Sequence, residues 1–158
     1  MDDEREPQRY KHGRWYKAEN AAMSALTRAG LIPHTYLLTT RGRTTGQPRS
    51  NPVTVVEHNG HRWLVAPYGP VSWVRNALAA GEVNLTRRGD TQRFAIRVVP
   101  ADEAGPVLKR YVGIASATRT YFAANRKAPI AAFTAEADRH PVFELIPLAP
   151  AEGRTLVE

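Results

Sequence analysis

Two hydrophobic periods alternate along the chain. Over residues 15–29 the apolar positions Trp15, Ala18, Ala22, Ala25, Leu26 and Ala29 recur three or four residues apart, the spacing of one face of an α-helix. Gly30 is a suitable stop and Pro33 blocks continuation. The period then drops to two. "HTYLLTT" predicts a strand over residues 35–40, and "SNPVTVVEH" and "HRWLVAPY" meet at Asn59 and Gly60, a pair that favours a tight hairpin because both residues tolerate positive φ. Ser72 stands where it would cap a short helix, "WVRNALAA", which puts Trp73, Asn76 and Ala77 on one side and ends at Gly81. "VNLTRR" and "TQRFAIRVV" predict a second hairpin about Gly89 and Asp90. In its second strand Phe94, Ile96 and Val98 form a dry face and Arg93, Ala95 and Arg97 a wet one. Beyond Pro100 the period is helical again in "EAGPVLKRYVGIA", is lost over residues 118–138, and gives way to a last strand in "HPVFELIPL", entered through Pro141.

These elements predict an α+β, mainly β fold: a small barrel of six or so mostly antiparallel strands with helical insertions, covered by an N-terminal helix over residues 15–30. A length of 158 residues suits one domain spanning 1–158, its first 14 residues expected to be flexible. There is no internal repeat, low-complexity tract or linker.

Composition narrows the chemistry. With no cysteine, disulfides, thiol nucleophiles and cysteine-based metal sites are out, and a reducing compartment is the expectation. The start, "MDDEREPQRY", has no apolar run behind it, and no window approaches the roughly 20 apolar residues that span a bilayer. The reading is a soluble, cytoplasmic protein. The net charge of +7 also suits an anionic membrane surface, which keeps peripheral association with an inner membrane open. Of the 22 basic residues 18 are arginine, the side chain that grips carboxylate and phosphate with two parallel hydrogen bonds. Nucleic acid is not the expected partner, since aromatic residues do not interleave with the basic ones on a strand face. The partner is expected to be a small-molecule substrate, and the oligomeric state stays open between monomer and homodimer.

Familiar catalytic patterns are missing. His12, His34, His58, His61 and His140 are scattered, without the i, i+4 pairing of a helical zinc site, so no metal is expected. No nucleophile elbow, P-loop or dinucleotide GxGxxG occurs. What remains is an arginine- and glycine-rich connection over residues 41–52, "RGRTTGQPRSNP", a loop "APYGP", and the helix start "SWVRN". A strand reversal needs only two to five residues, so the extra charge and length point to an anion held by arginines, backbone N–H groups and a helix terminus. Tyr68 and Trp73 would add flat apolar surface for a planar ring.

In this order, "LLTTRGRTTGQPRSNPV" and "WLVAPYGPVSWVRNALAAGEVNLTRRG" resemble the deazaflavin-dependent nitroreductase family, which uses coenzyme F420 on a split β-barrel related to the FMN-binding oxidases. The resemblance covers roughly residues 37–99, with weaker support from "RHPVFEL". It implies an F420-dependent reductase that passes a hydride to an electron-poor small molecule: an enone, quinone, nitroarene or unsaturated lipid-like acceptor. It places the cofactor's phosphate and acidic tail on Arg43, Thr44, Thr45, Gly46, Gln47, Pro48 and Arg49. Asn51, Pro52 and Val53 would pass beneath the ring, and Ala66, Pro67, Tyr68, Gly69, Trp73, Arg75 and Asn76 would complete the pocket. Thr44 stands where many relatives have lysine, and Pro67, Tyr68 and Gly69 where some have Ser-Lys-Gly, so two phosphate-side cations are absent and Arg75 or Arg41 would compensate. FMN is the alternative cofactor, and a flavin, fatty-acid or tetrapyrrole binding protein without turnover is the alternative function. No catalytic residue is identified. Tyr68, Tyr111 and Tyr121 are the candidate proton donors.

Overall fold

The computed structural model describes residues 30–150. The expected N-terminal helix and flexible start lie outside the described residues, apart from Gly30. Six strands form a closed antiparallel barrel: β1 (Thr35–Arg41), β2 (Pro48–His58), β3 (His61–Val65), β4 (Glu82–Arg87), β5 (Asp90–Val98) and β6 (Val142–Pro147), in the order β1-β2-β3-β6-β5-β4, with β4 returning to β1. Between them run α1 (Ser72–Ala80), α2 (Ala101–Ile114) and α3 (Ile130–Ala135), with 3-10 turns at Ser116–Tyr121 and Ala137–Arg139.

Two apolar clusters hold these pieces together. Inside the barrel Leu38, Val55, Leu64, Leu85, Phe94 and Phe143 pack against Trp73, Val74 and Ala77 of α1, which plugs one end. Outside, Val56, Trp63, Val65 and Val142 meet Val107, Leu108, Tyr111 and Val112 of α2 and Phe133 of α3. The wall made by β2, β3 and β6 is therefore buried on both faces. This explains why β2 and β3 carry adjacent apolar pairs, Val55-Val56 and Leu64-Val65, where a half-exposed strand would alternate.

The first hairpin turns at Asn59 and Gly60, both with positive φ, and Gly81 closes α1 in the left-handed conformation. Three local expectations shift. The second hairpin turns on Arg88 and Gly89, both with positive φ, and Asp90 pairs with Arg87 as a strand residue; Arg88 takes a conformation that non-glycine residues adopt rarely. The residue before α1 is Val71, in extended backbone, and no side chain caps the helix; Ser72 is already helical. On β5 the dry face ends at Ile96, because Val98 is 59% exposed while Val99 is buried. The chain swings outward there to enter α2 through Pro100.

One feature of the register shapes the site. β1 pairs with residues 48–54 of β2, whereas β3 pairs with residues 55–58. Along its first half, the other edge of β2 has no strand partner among the described residues, and the barrel is split there. The pairing of Val55 with Leu64 carries the chain beyond Val65 to the level of Val53. The β1–β2 loop, the β3–α1 loop and α1 thus gather at one end.

Candidate active site

The β1–β2 loop is closed by its own backbone. Gly42 N–H donates to the Gln47 carbonyl at 2.8 Å and Gly46 N–H to the Gly42 carbonyl at 2.8 Å, while Thr45 Oγ1 accepts Gln47 N–H at 3.2 Å. Gly46, at φ +70°, permits this reversal. The rolled loop is then fastened to α1 by Asn76, which is 3% exposed. Its Oδ1 accepts the backbone N–H of Arg43 at 3.2 Å and the Arg43 guanidinium at 2.8 Å, and its Nδ2 donates to Thr40 Oγ1 at 3.4 Å. A buried amide must spend its polar groups on partners, and these partners fix where Arg43 stands.

A groove of about 390 Å³ lies between this loop, β2 and α1, lined by Gly42, Arg43, Thr44, Thr45, Arg49, Asn51, Ser72, Trp73 and Asn76. Among the described residues no carboxylate lines it. Two arginines of β5 are compensated: Arg93 pairs with Glu82 at 2.9 Å, and Arg97 bridges Glu103 and Glu144 at 2.6 Å each. Among the described residues no carboxylate pairs with Arg41, Arg43, Arg49 or Arg75. Two guanidinium groups at one groove with no carboxylate partner among the described residues, beside the unpaired edge of β2, are chemically suited to receive an anion.

The structure brings seven of the sequence-predicted cofactor residues to this groove: Arg43, Thr44, Thr45, Arg49, Asn51, Trp73 and Asn76. Gly46, Gln47 and Pro48 build the loop behind it. Pro52 is half-buried on β2, and Val53 points into the barrel core. Ala66, Pro67 and Gly69 are buried within the β3–α1 loop, and Arg75 is exposed on α1 and does not line the groove.

Two of the three tyrosines meet. Tyr68 and Tyr121 are half-buried and meet edge to face at 4.6 Å between ring centroids. Tyr111 is 2% exposed in the outer core, its hydroxyl 2.8 Å from Thr118 Oγ1. Burial pushes its phenol well above the ordinary range, against the opposing hydrogen bond from Thr118. It is a core residue and does not reach the groove.

Sequence reasoning missed Glu136. Its carboxylate, 4% exposed, accepts Ala123 N–H at 3.1 Å and Ala124 N–H at 2.9 Å and sits 2.8 Å from His140 Nε2. Nδ1 of His140 meets the Pro67 carbonyl at 2.9 Å, and its ring stacks on Phe122 at 4.0 Å. The available signal was a glutamate four residues before a histidine, in a stretch with no readable period.

Comparison with known proteins supplies the family. The model of the F420H(2)-dependent quinone reductase family matches residues 9–135. The chain belongs to that family. As a member it is an oxidoreductase that depends on coenzyme F420. Among solved structures, an F420-H2 dependent reductase is similar at 25% identity and TM-score 0.51, over 72% of this chain and 95% of that one. A chain described as a domain-swapped dimer is similar at 21% identity and TM-score 0.53, over 83% and 96%. A heme binding protein from Mycobacterium smegmatis, at 14% identity and TM-score 0.50 over 78% and 50%, shares the barrel alone. Among curated proteins none matches. Among the described residues of this quinone reductase family member, no group of histidine, aspartate or glutamate is placed to hold a metal, and no helix is long and apolar enough to cross a membrane.

Proposed function

We propose that this groove holds the anionic tail of coenzyme F420 and that the enzyme reduces an electron-poor planar acceptor, with quinones as the first class. The observation that carries the reading is the pair Arg43 and Arg49 in a groove that no carboxylate lines among the described residues. A cofactor with a phosphodiester and carboxylate tail needs forked donors and amides there, and the described residues fit it. When bound, the reduced deazaflavin supplies a hydride.

The protein's own work is binding and orientation. Arg43, held by Asn76, presents a guanidinium that needs no reordering when the anion arrives. Arg49 and the Thr44–Thr45 stretch close the tail side, while Trp73 and Asn51 offer the wall against which a flat ring would rest. Tyr68 and Tyr121 stand on the loop and 3-10 turn beside the start of α1. They are the acceptor-side surface in this reading, where aromatic edges and hydroxyls exclude water and offer a proton.

The experiment is to titrate the purified protein with coenzyme F420 and then follow reoxidation of the reduced coenzyme with menadione, cyclohexenone and a nitroimidazole. Saturable binding with menadione turned over fastest is the expected result. Absence of saturable binding removes the cofactor assignment, and tight binding without turnover of any acceptor turns the reading towards a storage protein.

A further inference from the structure

The β3–α1 loop is tied down from below by two groups that lie outside the groove. His140, 3% exposed, stands between the Pro67 carbonyl at Nδ1 and the Glu136 carboxylate at Nε2. A carbonyl has no proton to give, so Nδ1 must donate. Each oxygen of Glu136 already accepts a backbone N–H, from Ala123 and from Ala124. That is the environment of an ionised carboxylate, which again can only accept. Nδ1–H is thereby committed to Pro67, and Nε2 faces the Glu136 carboxylate.

We propose that the Glu136–His140 pair is a positioning device for the acceptor side of the active site: it holds the Pro67 carbonyl, and through it Tyr68, at a fixed height over Tyr121. The proposal rests on the placement of the acceptor beside those two tyrosines. Burial opposes the charge on Glu136, yet the hydrogen bonds from His140, Ala124 and Ala123 outweigh it and hold its carboxyl below the usual range.

The surroundings of the pair support a rigid joint. Phe122 covers one face of the His140 ring. Gly69, at φ +85°, passes so close to the Arg139 carbonyl that an added Cβ would stand 3.3 Å from it. The nearest titratable side chains in sequence, Asp138 and Arg139, are exposed, so Glu136 is the charge that faces the ring directly. On the far side, Tyr68 touches Tyr121 at the end of the 3-10 turn that leads into Phe122 and the two N–H groups held by Glu136. One buried pair therefore anchors both walls of the tyrosine contact, and both move if it is lost.

Two measurements test this. In the coenzyme-free wild-type protein, nitrogen NMR of the labelled imidazole should show Nδ1 of His140 carrying a proton. A lone pair on Nδ1, which could not hold the Pro67 carbonyl, overturns the proposal, whether or not coenzyme binding is ever detected. In kinetics, His140→Ala should raise KM for menadione about tenfold or more, the scale of loss expected when a reacting partner is misplaced. Its dissociation constant for coenzyme F420 should stay within about twofold of wild type, because the groove residues are untouched. His140→Asn keeps a donor at the level of Nδ1 and should recover most of the lost KM effect, whereas His140→Gln should not. Unchanged acceptor kinetics in a folded His140→Ala, or equal losses in coenzyme and acceptor binding, would show that the pair does not position the acceptor side.

Discussion

Asn76 decides how the groove is charged, because one neutral oxygen holds a guanidinium that any carboxylate would neutralise. Replacing it by alanine leaves the Arg43 backbone N–H and Thr40, 2% exposed, short of a partner. The expected loss is about 1–3 kcal/mol of stability in urea unfolding. Asn76→Asp separates the two roles: it keeps an acceptor for Arg43 but supplies the missing negative charge, so coenzyme affinity should fall about tenfold or more with little change in stability. Arg49 makes no ion pair with a carboxylate among the described residues. Arg49→Ala should weaken coenzyme binding by about 10- to 100-fold, the range for one charge-assisted contact of about 1.5–3 kcal/mol. Arg49→Lys should recover only part of it, since an ammonium lacks the fork. Tyr111→Phe tests the opposite expectation. It removes a buried hydroxyl bond to Thr118, costing about 1 kcal/mol, and should leave turnover unchanged.

At the scale of elements, contacts between helices depend on details that hydrophobic spacing does not encode. Gly105 on α2 lies so close to Thr134 on α3 that a Cβ there would collide with the threonine side chain. Gly105→Ala should cost about 1–3 kcal/mol through overpacking, and Thr134→Ala should relieve it in a double-mutant cycle measured by thermal unfolding. The Glu136 joint adds a pH signature. Its carboxyl in the folded protein lies below the unfolded value, which is about 4.3. Its contribution is complete above that pH and is lost as pH falls through the folded value. Glu136→Gln should therefore flatten the acid limb of the stability curve below about pH 4.3. The strands and the Asn59-Gly60 turn were legible because alternation and positive-φ chemistry are local properties. The α2–α3 contact, Glu136 and the exposure of Val98 were not, because each depends on which surface another element covers.

For the whole molecule, the legible part of the candidate site was the crowding of arginines and glycines into one connection, which is visible without a fold. The split in the barrel was not, because it follows from β2 changing partners between Thr54 and Val55. That split also gives the net charge of +7 a local meaning. Most of the described basic residues are exposed, those of the groove included, and charges more than about 10 Å apart are largely screened at 0.1 M salt. Arg43 and Arg49 share a small space that no carboxylate lines among the described residues, so they, and not the total charge, should steer an anionic cofactor. The association rate for coenzyme F420, followed by stopped-flow, should fall steeply as salt rises. Arg49→Ala should flatten that dependence, while Arg97→Ala, which removes the same charge from a cluster already paired with Glu103 and Glu144, should leave it close to wild type. If both variants flatten it equally, overall charge governs capture and the groove has no special field.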